Sequence, residues 1–200
     1  MSAALPPFKA RLFAVGLGLL LITLFSSAAF SQRADHLTNE EIELIRDEQA
    51  VDDRMDIYTR AIERRLIVIE GTGSLSKDDL KRLEKESEKW GELPEGTPSE
   101  LYSDIYRILD EAVSKIEDVA DRNAESKLFP FAVHILADYS RALVPRLEAL
   151  KAKASSARDI ALLNDSIGQC SDIIEASSKV DKPDPKDRKK AKKEAAKLSS

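Results

Sequence analysis

Two histidines, one cysteine, scattered acid pairs and a run of lysines are the residues here whose chemistry could amount to a function. His36 stands ahead of the first helix cap, in a segment expected to be mobile. His134 projects onto the polar face of its helix, with Asp138 one turn on and Arg141 beyond, so a surface His–Asp pair is expected. A His–Asp dyad needs a nucleophile, and no serine stands at a local spacing that would supply one. Cys170 falls on the apolar stripe of the last long helix and reads as a small buried hydrophobe; as the sole cysteine it has no partner for an intramolecular disulfide.

Metal and cofactor chemistry find little support in the spacing. Zinc needs several His or Cys at ligand distance in sequence, and these are missing. The Glu-x-x-His pair of di-iron bundles is absent, since Phe131 lies three before His134. No Cys-x-x-Cys-His stands ready to attach haem. Haem held between Met55 and His134 is disfavoured, because Met55 lies on a core stripe while His134 faces away from its own. Glu40-Glu41 and Asp52-Asp53 lack the alternating oxygens and central glycine of a calcium loop. Gly71-Thr72-Gly73-Ser74 has no lysine at phosphate-loop spacing and no strand before it, so it ends a helix instead. The expectation is a non-enzymatic chain without cofactor or metal.

The charge pattern is more informative. From Lys179 to Ser200 nine Lys/Arg face four Asp/Glu, a local balance of +5 in a chain of net charge −5. No acid precedes Gln32, where Lys9 and Arg11 stand, so residues 32–178 carry −12. An acidic body with a basic tail suggests that Lys186, Arg188, Lys189, Lys190, Lys192 and Lys193 meet an anionic surface. Nucleic acid fits poorly, because the body is acidic and the tail lacks interleaved aromatics. Two prolines and no apolar stripe lead us to expect a disordered tail over 179–200.

The elements that would position these residues are helical. Hydrophobic residues make up 42% of the chain and charged ones 34%, with 7 Gly and 8 Pro, and strand signals are nearly absent. Met55, Tyr58, Ile62, Leu66 and Ile69 fall three and four apart, one stripe of a helix over 52–70, with Arg60, Glu63 and Arg64 on its flanks. Thr38 and Glu41 form a capping box for a short leading helix, with a break before Asp52 or Asp53 caps the next; one unbroken helix from 39 to 70 is the alternative. Ser76 caps a thinly apolar helix carrying Leu80, Leu83, Ser87 and Trp90. Thr97-Pro98-Ser99-Glu100 starts another, running to about Glu125. Phe129, Val133, Leu136, Ser140, Leu143, Leu147 and Leu150 make a coiled-coil-like heptad seam, with a kink expected near Pro145. Ser155 or Ser156 caps the last, whose stripe is Ile160, Leu163, Ile167, Cys170 and Ile174. No second copy occurs at a period of about 34 to 47 residues, which argues against a solenoid.

These patterns predict an all-α antiparallel bundle of about four long helices plus a short leading helix, spanning 32–178. Residues 1–31 read as a signal peptide: a basic start, an apolar run from Leu12 to Phe25, and Ala29 and Ser31 before a cut at Gln32. An uncleaved anchor over 12–32 is the alternative. The chain looks bacterial, which makes the periplasm the expected destination. The expected role is an envelope interaction or structural protein, touching an envelope protein or anionic membrane surface through its tail. The alternative is a small-molecule or cofactor carrier in the bundle core. The oligomeric state and the specific partner are not set by the sequence.

Overall fold

In the computed structural model, residues 36–123 and 126–198 are described. Residues 1–31, read above as a signal peptide, lie outside them. Among the described residues there are seven α-helices and no strand: α1 (Asn39–Asp47), α2 (Val51–Glu70), α3 (Lys77–Trp90), α4 (Pro98–Asn123), α5 (Phe129–Lys151), α6 (Ala157–Ser177) and α7 (Arg188–Leu198), with 3-10 turns at Thr72–Ser74 and Pro185–Asp187. The all-α expectation holds. No described helix is long and apolar enough to cross a membrane.

The four long helices α2, α4, α5 and α6 close the core, with α2 and α6 each packing on both α4 and α5. Side-chain bonds give their directions. Tyr58 reaches Glu111 while Arg65 lies 3.7 Å from Asp104, so α2 and α4 are antiparallel. Glu63 meets both Tyr139 and Arg146, and Glu70 meets Arg146, so α2 and α5 run parallel. Arg141 donates to Ser177 and His134 bonds Val180, so α5 and α6 are antiparallel. Consecutive long helices therefore alternate in direction.

The local reasons are those of capping and periodicity. Thr38 and Glu41 make the capping box of α1, with Glu41 N donating to Thr38 Oγ1 at 3.3 Å and Thr38 N donating to Glu41 Oε2 at 2.9 Å. The chain then breaks at Glu48, whose carboxylate accepts from the amides of Gln49 and Ala50. Neither Asp52 nor Asp53 caps α2. Ala50 holds that position without a side-chain bond, and both aspartates sit inside the first turn, where the helix dipole favours them. Met55, Tyr58, Ile62 and Leu66 are fully buried, as their spacing requires. The α3 helix is the peripheral one: Leu80 is 41% exposed, and Trp90 is its one buried residue.

The expected face of α6 needs correction. The buried stripe of α6 is Leu163, Ser166, Cys170, Ile173 and Ser177, while Ile160 is exposed and Ile167 and Ile174 half-buried. The helix is turned toward two neighbours, with Asp159 accepting from Ser99 of α4 and Ser177 from Arg141 of α5. Pro145 lies inside α5, and helical structure continues through it from Phe129 to Lys151.

Candidate functional site

The tail is where the structure departs furthest from expectation. After α6 the chain turns back over the bundle: the His134 ring nitrogen bonds Val180 O at 2.9 Å, and Lys182 reaches Asp138 at 2.8 Å. Asp184 caps the 3-10 turn by accepting from Lys186 N at 2.9 Å. Helix α7 then lies on the first turns of α2. Arg188 donates to Asp52 at 2.5 Å, to Asp53 at 3.1 Å and to Asp56 at 2.6 Å. Lys192 pairs with Asp53 and stands 3.4 Å from Asp52. Ala191 is buried between them, and Glu194 binds Lys127.

This geometry divides the six tail cations. Arg188, Ala191, Lys192 and Ala195 are three and four apart and form the inward face. Lys186, Lys189, Lys190 and Lys193 are exposed and make no salt bridge among the described residues, with Lys197 exposed beside them. Arg188 and Lys192 are thus not free to meet an external surface. The disordered-tail expectation is corrected for the same reason: composition counts the tail alone, whereas three aspartates on α2 supply the counter-charge that holds it. Burial alone would lower the Arg188 pKa, but its bonds to Asp52 and Asp56 raise it, so the cation is held charged.

Beside this junction lies an open pocket of about 480 Å³, between the start of α2, the end of α4 and α7. Arg54, Lys115, Arg122 and Lys192 line it against Glu48 and Asp118, a positive balance within an acidic body.

Two other polar groupings lie elsewhere. Glu41, Arg64 and Arg65 are buried to 0–1% exposure, although the apolar stripe suggested a flank position for Arg64. Glu41 Oε1 accepts from Arg64 at 3.1 Å and Arg65 at 2.5 Å. Arg64 also donates to the carbonyls of Trp90 and Glu92, and its guanidinium lies 5.7 Å from the Trp90 ring centroid. Gly91 makes this turn possible. Its φ is +65°, and a Cβ there would meet Glu40 at 2.8 Å. Arg65 donates to Ala61 O at 2.9 Å and His36 O at 2.7 Å. The cluster ties the chain before α1, helix α1 itself and the end of α3 to α2.

His36 is not part of a free strap: its ring lies 2.7 Å from Glu111, which also accepts from Tyr58 at 2.8 Å. The bond to His36 holds the Glu111 carboxyl below its usual range, against burial. Burial pushes the Tyr58 hydroxyl up, so at neutral pH it donates and does not act as a base. His134 is buried, not on a surface pair, and its former partner Asp138 is claimed by Lys182 and Arg141. Burial pushes the Cys170 thiol up to about 11, which keeps it protonated and unreactive at neutral pH. No group of three or more His, Cys, Asp or Glu is placed to hold a metal ion among the described residues.

No family model, curated protein or solved structure matches the chain. The reading therefore rests on this geometry. Arg65 was the missed signal: it follows Ala61 by four and Ile62 by three, which puts a charge at the edge of the apolar stripe.

Proposed function

We propose that the chain is exported through residues 1–31 and works as a non-enzymatic interaction protein of the cell envelope. In this reading the bundle is a platform, and α7 presents a basic face to an anionic membrane surface. The observation that carries it is the division of α7. Arg188 and Lys192 fasten the helix, while Lys189, Lys190 and Lys193 on it and Lys186 on the 3-10 turn before it are exposed and make no salt bridge among the described residues. A helix held in this way offers its lysines in a fixed array, so less conformational entropy is lost on contact than from a loose tail. Export is supported by the basic start at Lys9 and Arg11 and the apolar run from Leu12 to Phe25.

The test is co-sedimentation of residues 32–200 with vesicles of phosphatidylglycerol and phosphatidylcholine. Binding should weaken steeply with salt, since each lysine near an anionic surface contributes about 1 kcal/mol. Changing Lys186, Lys189, Lys190 and Lys193 together to Gln should abolish it. Retention that ignores both salt and the fourfold change would sink the proposal.

A further inference from the structure

A second acidic–apolar surface stands on another side of the bundle. Between the C-terminal half of α4, the start of α5 and the end of α6 lies an open groove of about 430 Å³. Val113, Ile116, Val133, Leu136 and Ile173 supply its apolar surface. Asp110, Glu117 and Asp172 also line it; they are exposed, and none forms a salt bridge among the described residues. No lysine, arginine or histidine lines it. The Oε1 atom of Gln169, also in the lining, is buried and accepts no hydrogen bond. A buried acceptor without a donor is uncommon in folded proteins, and this one stands at the groove wall.

We propose that this groove docks a basic amphipathic helix of a partner protein, its apolar stripe on Val113, Ile116 and Ile173 and its lysines or arginines on Asp110, Glu117 and Asp172. Charge complementarity selects the occupant. Three uncompensated carboxylates around an apolar floor repel an acidic ligand and leave a neutral one without ion pairs. The shape selects a helix: Asp110 to Ala120 span about 15 Å along α4, close to three helical turns. The molecule already uses the same logic once. Helix α7 lies on Asp52, Asp53 and Asp56 with its own Ala191 buried at the contact. The proposal concerns a different face from α7 and stands whether or not α7 meets a membrane.

The experiment uses the full chain and three labelled peptides of about 14 residues, long enough to cover the groove. One carries a leucine stripe flanked by lysines. One replaces its lysines by glutamate, and one its leucines by alanine. Fluorescence anisotropy should show that the leucine–lysine peptide binds and the other two bind far more weakly. The triple change Asp110→Asn, Glu117→Gln, Asp172→Asn should weaken binding about tenfold or more, as loss of several ion pairs to one ligand implies. The matched change Asp78→Asn, Glu84→Gln, Glu88→Gln on exposed α3 positions should leave it unchanged. Equal weakening by both triples would mean unspecific attraction to an acidic body, and would overturn the proposal. So would equal binding of the alanine peptide, or a fall in the sedimenting mass of the chain alone when the groove is changed, which would make a second copy the occupant.

Discussion

The two ends of α2 hold the same chemistry in opposite settings. Near its C-terminal half, Glu41 meets Arg64 and Arg65 at 0–1% exposure, terminal guanidinium nitrogens of both arginines reach backbone carbonyls, and Arg65 Nε faces Asp104 at 3.7 Å. At its start, Asp52 is equally buried, but its partner Arg188 has a side chain 27% exposed, and Asp53 and Asp56 face water beside it. The first cluster cannot be solvated without dismantling the fold. The second lies partly within reach of counter-ions. The same pairing of acid and arginine is therefore structural in one place and salt-sensitive in the other.

That contrast can be broken at either end. The largest effect is expected from Glu41→Gln, which leaves two buried guanidinium groups without their shared counter-charge. It should cost about 3–5 kcal/mol in urea unfolding, with little dependence on salt. Arg188→Ala should cost less, about 1–3 kcal/mol, because Lys192 remains near Asp52 and water reaches the site. Its cost should shrink at high salt; a cost as salt-independent as that of Glu41→Gln would erase the distinction. A smaller effect is expected on acidification. The Glu111 carboxyl is held low in the folded state by His36, then by Tyr58. Its contribution is present above the ordinary carboxylate value of about 4, and is lost as pH falls through its depressed folded-state value. Glu111→Gln should thus be less stable than the parent at pH 6, by about 1 kcal/mol, and the gap should close toward pH 2. The smallest effect is that of the fourfold Lys→Gln change at Lys186, Lys189, Lys190 and Lys193, expected within about 0.5 kcal/mol of the parent in stability, since all four are exposed and glutamine and lysine have similar helix propensity.

Much of the helical layout was legible in the sequence because its causes are local. The stripe of α2, the capping box at Thr38, the break before α2 and the starts at Ser76 and Pro98 are all set by residues within a turn or two. What was not legible depends on distant partners. Arg188 meets Asp52 across 136 positions, and nothing near either residue announces the other. The turn of α6 about its axis was lost for the same reason, because its face is chosen by α4 and α5 together. His134 looked exposed on its own helix and is covered by the segment after α6, which only the folded chain brings there.

Amide hydrogen exchange over residues 188–198, with and without anionic vesicles, tests the central claim most directly. An isolated helix of 11 residues is marginal in water, so protection there reports docking on α2. The account predicts protected α7 amides in both conditions, because the helix binds the surface while held on the bundle. Exchange at the rate of an unfolded chain in free solution, or protection lost on vesicle binding, would contradict it: the lysines would then act from a released tail, and the clasp on Asp52, Asp53 and Asp56 would not present them.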